Sequence, residues 1–367
     1  MPMPPRKTVL VAGASGLVGA AAARHFAAEP GTAVLALARR PVAPAGARAV
    51  PLDLRDPAAV AAAAPGFASV THLVFAALHE QPELTAGWRD PAQIDTNAAM
   101  LRHLLDALDT AAPALRHVTL LQGTKAYGVH VGPFAIPARE DRSERRDIPN
   151  FYWAQQDLLT DRQRGRSWHW TILRPVLIVG SAIGGAMNLI PPLGVYAALL
   201  GERGEAFHYP GGAPRVAQAV DADLLARAIG WAGETAAARD QAFNVTNGDV
   251  FVWEHIWPAV AAAFGMAPGE ARPCALARFL PEHEPAWNAI AARHGLTAPG
   301  LADFIGLSAQ YADYTWRHGR TDPGPPSIVS TVKIRQAGFH DVMDTETMFA
   351  RHIAAARAAR LLPPLRA

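Results

Sequence analysis

Three glycines spaced three apart, Gly13, Gly16 and Gly19, and one isolated lysine, Lys125, point most directly to chemistry in this chain of 367 residues. The glycines stand between an apolar run and an alanine-rich apolar segment, which is how a phosphate cradle is built. The first permits a tight turn, the second lets a phosphate approach the backbone, and the third lets a helix pack closely on a strand. Ser15, Leu17 and Val18 belong to the same turn. Their helix start would offer a pyrophosphate free N–H groups and a positive dipole end. Lys125 is one of only three lysines, with Lys7 and Lys333, among 34 basic residues. A chain that prefers arginine has here used the compact, flexible ammonium.

These residues need a particular scaffold. Thr8–Ala12 reads as a strand buried on both faces, as in a parallel sheet, and Leu17–Ala28 as the helix after it. A second strand, Ala33–Leu37, ends in Ala38, Arg39 and Arg40. At that strand end a carboxylate holds a free ribose 2′-hydroxyl, whereas arginine accommodates a 2′-phosphate. No Asp or Glu occurs between Gly31 and Leu52, so Arg39 and Arg40 predict NADPH. Ala49–Leu52 predicts a third strand, with Asp53 and Leu54 at the adenine; Asp53 serves equally as a cap for the helix beginning near Asp56. The fourth strand, Thr71–Ala77, ends in Ala76 and Ala77, small enough for a neighbouring cofactor. Ile94–Leu108 has helical periodicity, with Asn97 as a structural hydrogen-bonder. The fifth strand, His117–Leu121, leads into Thr124 and Lys125, which places the lysine at the sheet edge where ligands bind in open α/β folds.

The sixth strand, Trp168–Leu173, closes on Arg174 and Pro175. No charge follows from Pro175 to Leu200, but Gly184, Gly185, Asn188, Pro191 and Pro192 interrupt any single membrane helix. That stretch is expected to flank the cofactor and wall a pocket, with Ile178, Met187 and a helix at Val195–Leu200 facing apolar substrate, although hydrophobic core claims most of it. Ala217–Gly233 is expected to be a helix and Ala242–Thr246 a strand. The region from Trp253 to about Arg360 is expected to be a mostly helical lobe. Met1–Lys7 and Arg360–Ala367 are expected to be loose ends. The fold class is therefore α/β, a Rossmann-type doubly wound parallel sheet with a mainly helical C-terminal substrate lobe. The NADP-binding core spans 1–180, and 181–367 completes it and forms the lobe.

Composition limits the function. Basic and acidic residues nearly cancel, 34 against 32, so nothing suggests nucleic acid as a partner. Cys274 is the only cysteine, which excludes an intrachain disulfide and fits a cytoplasmic setting without membrane attachment. The 14 histidines show no paired spacing on one helix, so no metal site is expected. Ser15 lacks the Gly-x-Ser-x-Gly spacing of a hydrolase elbow. The oligomeric state stays open, a homodimer included.

The Gly-x-x-Gly-x-x-Gly spacing resembles that of the short-chain dehydrogenase/reductase superfamily. Its usual members carry a catalytic tyrosine with a lysine four residues later on one helix face. Asn150 opens a helix with Phe151, Tyr152 and Trp153, but the fourth residue after Tyr152 is Gln156. If Tyr152 is catalytic, its ammonium comes from another segment, and Lys125 is the supplier. Gly-Ala-Ser-Gly-Leu-Val-Gly at 13–19, Ala-Arg-Arg-Pro at 38–41, Gly-Thr-Lys-Ala-Tyr at 123–127, Gly-Pro-Phe at 132–134 and Asn-Phe-Tyr-Trp at 150–153 occur in order. They are followed by Arg174-Pro175, Ala186-Met187-Asn188 and Asn247-Gly248-Asp249. Together they resemble the progesterone 5β-reductase and iridoid synthase family, the PRISE enzymes, and among them a bacterial-type member.

The resemblance implies an active-site pair of Lys125 and Tyr152. It further implies cofactor contacts at Gly13, Ser15, Gly16, Leu17, Val18, Gly19, Arg39, Arg40, Asp53, Leu54, Ala76, Thr124, Pro175, Ile178 and Met187. Substrate contacts are expected at Tyr127, Phe134, Trp153 and Met187, with Tyr127 a rival for the hydroxyl role. Ala126, Trp153, Gln156 and a longer loop at Val129–Val131 depart from the plant pattern and leave the substrate open. The implied chemistry is NADPH-dependent 1,4-reduction of a small apolar enone, with Tyr152 donating a hydrogen bond to the enolate oxygen. Carbonyl reduction or NAD-dependent sugar-nucleotide epimerisation on the same scaffold, and a non-catalytic NADPH sensor, are the alternatives.

Overall fold

The computed structural model describes residues 7–365. Seven strands form one parallel sheet: β1 (Lys7–Ala12), β2 (Thr32–Ala38), β3 (Ala47–Pro51), β4 (His72–Phe75), β5 (His117–Leu121), β6 (His169–Pro175) and a last strand, Gln241–Val245. Their spatial order is Gln241–Val245, β6, β5, β4, β1, β2, β3. The chain leaves β1 for β2 on one side and later returns to β4 on the other, so the order reverses at β1. In open α/β sheets the crevice for ligands lies at that reversal.

The strands are apolar because they are covered on both faces. Val9, Leu10, Val11 and Ala12 are fully buried, and Leu10, Leu35, Leu73 and Leu120 share a core with Leu101, Leu104 and Leu105 of helix Pro91–Ala111. Asp90 caps that helix, accepting from the Ala92 and Gln93 N–H groups, and Pro91 opens it where no backbone donor is needed. Asp56 caps helix Pro57–Ala63 through the Ala59 N–H, so the cap is Asp56 itself and not Asp53.

Two compact units result. The first contains residues up to Val176, Ala222–Val245 and Val329–Asp341; the second contains Leu177–Asp221, Thr246–Ile328 and Val342 onward. The units are therefore interleaved along the chain. The second is mainly helical around a core that includes Leu193, Trp257, Trp287, Trp316 and Phe349. No helix among the described residues is long and apolar enough to cross a membrane.

Several expectations change. Residues 217–221 are not helical: Val216–Ala217 and Ala219–Asp221 are short strands, and the helix is Ala222–Glu234. Short apolar runs do not distinguish strand from helix by periodicity. Val195, Leu199 and Leu200 lie inside helix Ile190–Glu202 and are buried in the core of the second unit, so core and not pocket wall is their role. Leu362 is also buried, filling the space that a side chain at Gly194 would need. The expected loose C-terminal end is thus anchored there, while Met1–Arg6 and Arg366–Ala367 lie outside the described residues.

One polar pair inside the sheet has a measurable consequence. His72 and His117 are register partners on β4 and β5, with ring centroids 6.4 Å apart. Burial pulls the first down to about 4 and the second to about 3. Both remain neutral in the native state while the unfolded chain takes up protons below about 6.5. Stability from this pair is therefore complete above pH 6.5 and is lost as pH falls toward 3. Urea unfolding at pH 7 and pH 5 will differ by a few kcal/mol, and His117→Leu will reduce that difference.

Candidate active site

Residues 13–19 turn sharply at the end of β1. Gly13 has φ of +84°, and a Cβ there would lie 2.6 Å from the Ala76 carbonyl oxygen at the end of β4. A Cβ at Gly19 would lie 2.1 Å from the Gly13 oxygen. Both positions thus exclude any side chain, and the helix is brought against the strand. Leu37 O accepts the Gly13 and Ala14 N–H groups at 2.9 and 3.0 Å. No side chain caps helix Leu17–Ala27 at Gly16, and no acidic residue occupies its first turn. Ser15, Leu17 and Val18 are half-buried around this open positive end. A crowded glycine turn leading to an uncapped helix start fits the pyrophosphate of a dinucleotide.

Arg39 and Arg40 are exposed just beyond β2. Asp53 is half-exposed and is held by Arg55: Arg55 Nε is 3.0 Å from Oδ1 and its NH2 nitrogen 2.6 Å from Oδ2. This partner, with Arg39 contributing, holds the Asp53 carboxyl down at about 2. Sequence reading did not single out Arg55. Leu54 is buried, and its carbonyl lies 2.8 Å from His103 Nδ1.

On the other side of the crevice, β5 ends in Gln122, Gly123 and a single tight turn, Thr124–Tyr127. Thr124 is half-buried, and Lys125 is 8% exposed. The Lys125 ammonium lies 4.0 Å from the centre of the Trp88 ring and 3.9 Å from Glu80 Oε1. Burial pulls it down to about 8, against the opposing effect of Glu80. Asn150 caps helix Phe151–Gln163 through the Tyr152 N–H, which fixes Tyr152 in the first turn. A Cβ at Gly123 would lie 3.2 Å from the Tyr152 hydroxyl and 3.4 Å from the Pro175 carbonyl oxygen. Gly123, two residues before Lys125, thus lies directly under the tyrosine hydroxyl. The structure brings Tyr152, Lys125, Thr124 and Pro175 to one sheet edge.

Gln156, in the place where a lysine would be usual, has another task. Its Oε1 accepts from Gln122 Nε2 at 3.1 Å and from Arg174 NH2 at 3.3 Å. Gln122 Nε2 also donates to the Tyr152 carbonyl at 3.2 Å, and its Oε1 accepts from Arg174 Nε at 2.8 Å. Arg174 is fully buried. A lysine at 156 would set a second cation beside it, at high desolvation cost.

Tyr127 is fully buried; its hydroxyl donates to Asn244 Oδ1 at 2.6 Å and accepts from Arg174 at 3.4 Å. Burial pushes it up to about 12. That hydroxyl is consumed inside the first unit, so Tyr127 is a core residue and not a rival to Tyr152. Phe134 is half-buried, its ring 6.3 Å from that of Tyr127. The buried Trp153 donates from its indole to the Ile148 carbonyl at 3.2 Å and stacks under Arg146, so it anchors the loop before the helix. Ile178 and Met187 are half-buried in the second unit.

The family described as PRISE-like Rossmann-fold domain matches residues 57–363. The (S)-8-oxocitronellyl enol synthase ISY2 of Nepeta cataria is 30% identical over 377 residues, covering 96% of this chain and 91% of the relative. The short chain dehydrogenase gsfE of Penicillium aethiopicum is 29% identical over 316 residues, 80% of each chain. Among solved structures, UDP-glucose 4-epimerase from Brucella ovis in complex with NAD superposes with a TM-score of 0.66 at 17% identity, over 95% of this chain and 98% of that one. This last likeness is one of fold.

Proposed function

The chain belongs to the PRISE-like Rossmann-fold family and is an oxidoreductase of the short-chain dehydrogenase/reductase superfamily, and from that premise we propose that it is an NADPH-dependent ene reductase acting on small apolar α,β-unsaturated carbonyl compounds. The observation that carries this reading is the placement of the Tyr152 hydroxyl over Gly123, next to the Lys125 turn. The Nepeta relative is named as an enol synthase and the Penicillium relative as a short chain dehydrogenase, which supports redox chemistry with an enol or enolate on its path.

The Gly13–Gly19 turn would hold the pyrophosphate of the dinucleotide, Arg39 and Arg40 its 2′-phosphate, and Lys125 the nicotinamide ribose. When bound, the reduced dinucleotide supplies hydride to the β-carbon of the enone. Negative charge gathers on the carbonyl oxygen as the C=C bond is reduced. The Tyr152 hydroxyl donates a hydrogen bond to that oxygen. Lys125 adds positive potential at the same edge. Solvent returns the proton to the α-carbon, so no third acid is required.

Arg39→Ala combined with Arg40→Ala will cut the preference for NADPH over NADH. A hydrogen bond to a charged group is worth about 1.5–3 kcal/mol, so the loss will be roughly tenfold or more. The ratio of kcat/KM values for the two cofactors reads it, and an unchanged ratio would move the 2′-phosphate site elsewhere. The reaction itself is tested with a cyclic 2-enone, NADPH and NADH in parallel, and product identification by mass and NMR. A saturated ketone supports the proposal; an allylic alcohol replaces it with carbonyl reduction. Cofactor binding without turnover on any enone points to the epimerase or sensor readings.

A further inference from the structure

The loop between β4 and helix Pro91–Ala111 carries a carboxylate that the reaction outlined above does not use. Glu80 has a side chain only 6% exposed, and its Oε2 accepts from Gln93 Nε2 at 2.7 Å. Gln93 is fully buried in the helix, and its Oε1 accepts the Gln81 N–H at 2.7 Å. One turn along, Asn97 brackets His79, accepting its N–H and donating to its carbonyl, each at 2.9 Å. Gln155 of the Tyr152 helix donates to the Asn97 backbone carbonyl at 2.9 Å. Residues 79–81 are thus fixed to the fold on both sides of Glu80. Its second oxygen faces the Lys125 ammonium at 3.9 Å, and the Trp88 ring covers that ammonium at 4.0 Å.

We propose that Glu80 is a positioning residue that keeps the Lys125 ammonium charged and in place at the sheet edge, with Trp88 as the wall it rests against. The role of Lys125 rests on the reductase reading, but the pairing itself does not. A buried ammonium is costly without a partner, and an opposite charge this close typically favours the charged form by about 1–3 pH units. Lys125 donates no hydrogen bond among the described residues, so its three donors are left for a ligand while Glu80 supplies charge rather than capture. Other groups near the pair act differently. His130, whose ring lies 6.2 Å from Trp88, is pulled down to about 4 by burial, with Lys125 and Arg89 adding to the effect, and is neutral at working pH. Tyr152 borders the turn from its helix through Gly123.

The chain's three lysines make the test direct. Protein labelled with 13C at lysine Cε gives three signals, assigned with Lys7→Arg and Lys333→Arg, and each titrates separately. Lys125, pulled down by burial to about 8, is expected to titrate in that range in the unaltered protein. Glu80→Gln, which keeps the Gln93 contact, will move that midpoint down by on the order of one pH unit or more, and Glu80→Asp will restore most of it. The affinity for NADPH, read by nucleotide fluorescence, will match the unaltered protein at pH 6 and fall at pH 8 in Glu80→Gln. An unmoved Lys125 midpoint in a folded Glu80→Gln protein overturns the proposal, as does a loss of NADPH affinity equal at both pH values. The NMR titration needs no turnover. Failure to reduce an enone while the midpoint moves as expected therefore removes the reductase reading and leaves the pairing intact.

Discussion

Tyr152→Phe will lower turnover on a 2-enone by about 10²–10³-fold while leaving NADPH affinity within a few-fold of its original value. One well-placed donor to a developing oxyanion is worth roughly 2.7–4 kcal/mol. The substitution deletes only the hydroxyl. The phenyl ring keeps the edge contact with Phe151 at 4.7 Å, and the backbone keeps its bonds to Asn150 and Gln122. Stopped-flow measurement of single-turnover NADPH oxidation separates chemistry from binding. Unchanged turnover would remove Tyr152 from the mechanism, and equal losses in binding and rate would make it a cofactor contact.

Arg174→Met will destabilise the protein by about 3–5 kcal/mol, the usual cost of removing one partner from a buried charged network. The guanidinium is fully buried and reaches Gln122 at 2.8 Å, Glu144 at 2.5 Å, Gln156 at 3.3 Å and the Tyr127 hydroxyl at 3.4 Å. Methionine matches part of its volume but satisfies none of these groups. The urea midpoint will fall with little change in slope. Because Gln122 and Gln156 orient the start of the Tyr152 helix, kcat measured below the transition will fall as well. A loss under about 1 kcal/mol would show that the network is dispensable and that Gln156 is free to be lysine.

The two outcomes connect two parts of one design. In this chain the tyrosine helix is secured by neutral amides around a buried arginine, and Lys125 stands on the turn after β5. A lysine at 156 would share one dry site with the Arg174 guanidinium, which the neutral Gln156 avoids. Glu80 and Trp88 then do for Lys125 what water would do at an exposed position.

Much of the scaffold was legible in the residues because its causes are local. The glycine turn needs a positive φ at Gly13 and no side chain at Gly19, so those positions are written as glycine. The buried parallel strands need continuous apolar runs, and β1, β2 and β5 are found within a residue or two of where the pattern puts them. Asn150 caps the helix that the sequence has it open, through a contact only two residues away.

What the sequence alone determined, then, is the order of strand, turn and helix, the glycine cradle, and the segments that carry Lys125 and Tyr152. The tertiary structure alone decided which polar side chains meet. Tyr127 is taken up by Asn244 117 residues away, Gln156 by Gln122 and Arg174, and Lys125 by Glu80 and Trp88. Backbone conformation and burial periodicity are set by a few consecutive residues and leave a pattern in the chain. A buried polar group must instead find its partner across the fold, and nothing in the spacing of Glu80 and Lys125 records that they are neighbours.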